Sequence, residues 1–217
     1  LYIGGSAAGN TVLPSMTLPA NGFGILSPNG FAVYDTNGNL YSTGAATHQL
    51  PGGLASIAAA SSAIANTETA VVTATIAANT LQAGSTLRIS AAGIGTTGAT
   101  PGNDTFNIKF GTNSTCTSNS AVTAVVAAAQ GSVTAQPFSL DALLTIRTTT
   151  TAIGEAVVFG SDGTTGLFAS EVTELSATSA ATTIDTTKVN YACLTFVSGA
   201  AGSSATFEVA EIELVKI

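Results

Sequence analysis

Thr86-Leu-Arg-Ile-Ser-Ala91 alternates residue by residue, with Leu87, Ile89 and Ala91 on one side and Thr86, Arg88 and Ser90 on the other. Successive side chains of a β-strand point to opposite faces, so this stretch predicts a strand with one face in a core and one in solvent. The same alternation precedes it, where Val72, Ala74 and Ile76 oppose Thr73 and Thr75. It follows in Phe106, Ile108 and Phe110, which oppose Asn107 and Lys109. It returns in Leu140, Ala142, Leu144 and Ile146 against Ser139, Asp141, Thr145 and Arg147, then in shorter runs at residues 156–159 and 191–197. Clusters of Gly, Pro, Asn and Asp separate the runs, and no long amphipathic helical pattern lies between them. About eight strands with turn signals predict an all-β, antiparallel β-sandwich over residues 67–217 and exclude parallel βαβ layering.

The final strand contains a change of phase. Phe207 and Val209 share one parity, while Ile212 and Leu214 share the other. A one-residue slip turns a buried face outward, so a β-bulge near Ala210-Glu211 is expected to keep both pairs inside.

Residues 1–66 read as an N-terminal arm. Within it, Phe31-Ala-Val-Tyr-Asp35 and Leu40-Tyr-Ser-Thr43 flank Thr36-Asn-Gly-Asn39. Asn37-Gly38 supplies the positive φ angles of a tight turn, predicting a small β-hairpin over about residues 31–43. A lone hairpin is marginal in water and needs a surface to pack on. Residues 51–66 read as an Ala/Ser/Gly linker with room for one short helix.

Charged residues make up only 8% of the chain, against roughly 25% in ordinary soluble domains. With a mean hydropathy of +0.44, so few charges predict that neighbouring subunits cover much of the surface. The net charge is -7, and the only bases are Arg88, Lys109, Arg147, Lys188 and Lys216. They cannot form the basic stripe that phosphate neutralisation requires, so nucleic-acid binding is not expected. No apolar run approaches the ~20 residues of a membrane span. The Ala-rich stretch 54–65 is itself interrupted by Ser56, Ser61 and Ser62, so no membrane partner is expected. Leu1 is preceded by neither Met nor a basic segment, which fits a removed leader or a chain continuing upstream; no export route is read from it.

Candidate chemistry is sparse. Gly93-Ile-Gly-Thr-Thr-Gly98 matches a dinucleotide fingerprint, but Ala99-Thr-Pro-Gly102 cannot open the required helix and no ribose-binding acid follows. It reads as a glycine-rich loop between strands. His48 is the only histidine and has no nucleophile motif around it, so it reads as a loop or interface residue. Glu171 with Glu174, and Glu208 with Glu211 and Glu213, are the densest carboxylates; without Trp and with few Tyr to hold a sugar, they read as solvated. Asp162-Gly-Thr-Thr-Gly166 has one carboxylate, too few oxygens for calcium, and reads as a turn. Asn103-Asp-Thr105 and Asn113-Ser-Thr115 are formal glycosylation sequons, relevant only in a eukaryotic secretory pathway. Cys116 and Cys193 admit free, partly buried thiols, one disulfide or a metal pair. Their apolar surroundings favour free thiols, and a metal would need more ligands. No catalytic, cofactor-binding or metal residue is assigned, and no enzyme activity is expected.

Thr75-Ile-Ala-Ala-Asn-Thr-Leu-Gln-Ala-Gly-Ser-Thr-Leu-Arg-Ile-Ser90 resembles a segment of tailed-bacteriophage structural proteins: a strand, an Ala-Asn-Thr-Leu turn, Ala-Gly and a second strand. Phe106-Asn-Ile-Lys-Phe-Gly111, Leu144-Thr-Ile-Arg147 and the stretch from Ile184 to Leu214 are similar to later segments, so the resemblance spans about residues 67–217. It implies a jelly-roll sandwich, often homotrimeric, serving as a head decoration or cement protein, a head fibre or a tail-associated protein. A decoration protein would sit on the capsid surface of the virion, with itself, the major capsid protein or other virion proteins as partners. Its N-terminal arm would reach across subunit boundaries. A tail-fibre or spike module would instead contact a host receptor through residues 93–102 and 161–166. The composition also suits a cellular surface-layer or filament subunit. Residues 1–50 match no single subtype.

Overall fold

A computed structural model describes residues 24–27, 30–34, 40–43, 47–49, 52–160, 166–168, 172–176 and 184–216. Its described strands pair antiparallel and form three sheets. Strands β1 (Gly24–Ser27), β2 (Gly30–Tyr34), β3 (Leu40–Thr43) and β4 (Thr47–Gln49) form a four-stranded meander in that order. The β2–β3 pair, with Phe31 opposite Thr43 and Tyr34 opposite Leu40, is the hairpin expected from the sequence. Its Asn37-Gly38 turn lies outside the described residues.

The remaining strands are β5 (Gly52–Ser56), β6 (Thr69–Ile76), β7 (Thr86–Thr96), β8 (Asn103–Gly111) and β9 (Ala121–Ala128). They continue with β10 (Gln136–Thr148), β11 (Thr151–Phe159), β12 (Val172–Ser176), β13 (Asn190–Val197) and β14 (Ser204–Lys216). One sheet runs β12-β11-β10-β7-β14-β5 and the other β6-β13-β8-β9. Their inner faces form a sandwich around one core. The pairing is nested: β5 with β14, β6 with β13, β7 with β10 and β8 with β9.

The apolar alternation determines which side of each strand is buried. Val72, Ala74 and Ile76, then Leu87, Ile89 and Ala91, then Leu140, Ala142, Leu144 and Ile146 all face inward. At one end of the core, Phe106 lies 4.9 Å from Phe196 and 5.6 Å from Phe138 between ring centroids, with Phe168 and Phe207 around it. Tilted and edge-on contacts of this kind bring the positive ring edges to the negative faces. Two inward-facing glycines make room: a Cβ on Gly93 would lie 2.2 Å from the Thr206 carbonyl oxygen, and one on Gly95 would lie 2.5 Å from Leu167.

Several expectations are corrected. The stretch 51–66 holds a strand: β5 pairs with β14, Ile57 and Ser61 N–H donate to Ala210 and Phe207 carbonyls, and Ile64 bridges Ala205. Small side chains let this segment lie along the β14 edge, so the sandwich begins before residue 67. Residues 93–96 belong to β7 rather than to a loop. The bulge in β14 falls two residues earlier than expected, because Phe207 pairs with Gly93 and Val209 with Ala92, leaving Glu208 as the extra residue. Phe207 and Ala210 therefore point inward and Val209 outward. Lys109, expected in solvent, is buried.

Candidate interaction surface

The two outer faces of the sandwich differ. On the outer face of the four-stranded sheet, the loop 112–120 folds back over the strands. It contains a 3-10 turn, Cys116–Ser118. Cys116 and Cys193 of β13 are paired there as a disulfide, with Cα atoms 6.3 Å apart. Beside the pair, Lys109 Nζ donates to the Thr117 carbonyl at 2.7 Å and to Glu68 Oε1 at 2.8 Å. Asn107 and Thr195 also donate to Glu68. Burial pushes the Glu68 carboxyl up, but these hydrogen bonds and the Lys109 charge outweigh it and hold the group below its ordinary value. Every member is partnered, which makes the cluster a fastening for the loop.

The outer face of the six-stranded sheet has no such covering among the described residues. The register arranges its outward side chains in rows. Phe159, Ser139, Ala92 and Val209 form one row across β11, β10, β7 and β14. Val157, Asp141, Ser90 and Glu211 form the next, and Glu155, Leu143, Arg88 and Glu213 the third. Val209 is 56% exposed, Phe159 and Leu143 each 43%, and Ile94 39%. Single exposed apolar residues are ordinary, and here four of them stand on one face. The Glu208 bulge helps create it by turning Val209 out of the core.

Charge is fixed within the same face. Arg88 Nε and Nη2 each donate to Asp141 at 2.9 Å, in a fork, and Nη1 lies 3.7 Å from Glu213. Ser90 Oγ donates to Glu211 Oε1 at 2.9 Å. A shallow depression of about 340 Å³ opens here, lined by Ser90, Ala92, Ser139, Asp141, Phe159 and Val209.

Among the described residues, the sequence-predicted candidates do not converge on a catalytic centre. Glu208, Glu211 and Glu213 share β14 and face outward, while Asn103 and Asn113 lie at the start of β8 and in the β8–β9 loop. His48 is placed on β4 and Glu174 on β12, without described side chains; Glu171 and residues 161–165 lie outside the described residues. Among the described residues, no group of three or more His, Cys, Asp or Glu could hold a metal ion. No described helix is long and apolar enough to cross a membrane. The apolar outer face was absent from the sequence expectations, although Ile94 and Leu143 continue the outward parity of Arg88 and Asp141. Comparison with protein-family models, curated proteins and solved structures found no match.

Proposed function

We propose that this chain is a non-enzymatic virion structural protein, a decoration or cement protein that binds and stabilises a capsid surface, as its resemblance to tailed-bacteriophage proteins implies. The observation that carries the reading is the apolar outer face of the six-stranded sheet on a chain with only 8% charged residues. Such a face loses exposed apolar surface to a neighbour on assembly, and a chain with so few charges overall has little to keep it dispersed.

The strand order supports the same reading. Setting β12 and β11 aside, β5-β14-β7-β10 faces β6-β13-β8-β9, and the nested pairing is that of a chain doubled into two Greek keys. We take this as a jelly roll, with β11 and β12 added beyond β10. Jelly rolls recur in viral capsid proteins but also in lectins and cupins, so the surface carries more of the functional reading than the fold does.

The test is absolute mass by light scattering, joined to quantification of the chain in purified particles. Recovery at stoichiometric copy number, with a trimer in solution, is the expected result. Loss of capsid binding after deletion of residues 1–50 would extend it to the arm. A chain absent from particles would overturn the proposal.

A further inference from the structure

We infer that the outer face of the six-stranded sheet docks a different protein, one that brings arginine and lysine side chains around an apolar centre. The inference rests on the reading of the chain as an assembly component and deepens it by stating the chemistry of the partner.

The face combines two features. Its apolar residues, Phe159, Val209, Leu143 and Ile94, are exposed on four adjacent strands and interleaved with polar side chains, and covering them with a partner removes apolar surface from water. Between and beside them stand Asp141, Glu155, Glu208, Glu211 and Glu213, with Arg88 at their centre already held in the Asp141 fork. Any partner that covers the apolar residues meets these carboxylates. A facing carboxylate would be repelled and a facing guanidinium or ammonium attracted, so the charge pattern selects the partner.

A second copy of this chain, docked by the same face, supplies little of that complement. All five of its bases lie among the described residues. Lys109 is buried against Glu68, Arg88 is committed to Asp141, and Lys188 lies 3.3 Å from Asp185 in a turn. Arg147 and Lys216 sit at the end of this same face. An isologous contact would place the central carboxylates against themselves, because a two-fold contact presents the same patch from both sides. Residues 1–51 contain no Lys or Arg, so the arm cannot neutralise the face either. A homotrimer of this chain would be built through other surfaces.

The experiment uses the full chain and particles from which it has been stripped by salt. Docking is measured for the wild type, for the double variant Glu211→Lys with Glu213→Lys, for Val209→Asp, and for Lys188→Glu as a control. All these residues except Glu213, which is half-buried, are exposed, and thermal melts check folding. The double charge reversal should weaken docking by at least about tenfold, since like charges across an interface are strongly unfavourable. Val209→Asp should also weaken it, and Lys188→Glu should leave it unchanged. Zero-length carbodiimide coupling on intact particles should join Glu208, Glu211 or Glu213 to lysines of another protein. Links from these carboxylates to Lys188 or Lys216 of a second copy would overturn the inference. So would undiminished docking of the charge-reversed variant, and in that case the assembly reading would still stand. A wild-type chain that fails to dock at all would remove both.

Discussion

Lys109 Nζ lies 2.8 Å from Glu68 Oε1 on the outer face of the four-stranded sheet, so a buried ammonium on β8 joins the segment entering β6 to the loop that covers both. The Lys109 side chain is only 9% exposed and Glu68 31%. Removing the anion would leave a buried cation with the Thr117 carbonyl as its remaining partner. Glu68→Gln should therefore destabilise the fold by about 1–3 kcal/mol, less than a fully buried pair because Glu68 is partly solvated. The pH dependence has a definite sign. The folded carboxyl is held below its ordinary value of 4.5, so its contribution is present above that value and is lost as pH falls through the lowered folded one. Urea denaturation of wild type and variant should show a gap at neutral pH that narrows in acid; a constant gap would contradict the assignment.

The Cys116–Cys193 pair closes a separation of 77 residues. In the loop-entropy model a cross-link of that span is worth about 4–5 kcal/mol. Intact mass under non-reducing conditions should be about 2 Da below the reduced chain, one bond replacing two S–H groups. Reduction, or replacement of both cysteines by Ser, should lower the denaturation midpoint without changing the far-ultraviolet strand signal. Two free thiols titrating in the unreduced folded protein would refute the pairing.

The sequence revealed the sandwich because most of its strands are half-buried, and a half-buried strand carries its orientation in every second residue. Leu87, Ile89 and Ala91 needed no partner to be read. β5 was illegible because Gly52-Gly-Leu-Ala-Ser56 has no such contrast; it becomes a strand only when the edge of β14 is available. Lys109 was misplaced for a related reason. Its parity was read correctly as opposite to Phe106 and Ile108, but a loop returning over that side buries it, and strand alternation does not report loops. The outer surface was partly countable: the parity of Arg88 and Ser90 extends through Ala92 to Ile94. That Ile94, Phe159 and Val209 share one face depends on strand order, which no local pattern contains.

Asp104 lies on the inward parity of β8 beside Phe106, with Oδ1 lacking a hydrogen-bond partner among the described residues. Burial raises its carboxyl above the ordinary 3.8. A raised folded value means that the contribution to stability is full below 3.8 and is lost as pH rises through the folded value. This is opposite in sign to Glu68. Asp104→Asn removes the titration while keeping the shape, so the variant should gain relative to wild type on going from acid to neutral pH. Melting temperatures of the pair across that range check it; an offset independent of pH would show that the carboxyl binds protons equally well folded and unfolded, and would contradict the raised value.

The bulge at Glu208 makes the sharpest structural prediction, because it distinguishes two single-residue deletions in one strand. Phe207 pairs with Gly93 and Val209 with Ala92, so Glu208 has no counterpart on β7. Deleting it closes the ladder and keeps Phe207 and Ala210 inward and Val209 outward. The expected loss is below about 2 kcal/mol, within the range of ordinary substitutions. Deleting Glu211 instead advances the rest of the strand by one position and turns Ile212 and Leu214, both fully buried, toward solvent. Each exposed side chain forfeits about 1.5–3 kcal/mol of transfer energy before cavities are counted. Against a typical total of about 5–15 kcal/mol, β14 then cannot hold the centre of its sheet. Urea unfolding should show a cooperative transition for the Glu208 deletion and none for the Glu211 deletion. The reverse outcome would place the extra residue elsewhere in β14 and return Val209 to the core, removing one of the apolar side chains on which the proposed docking face depends.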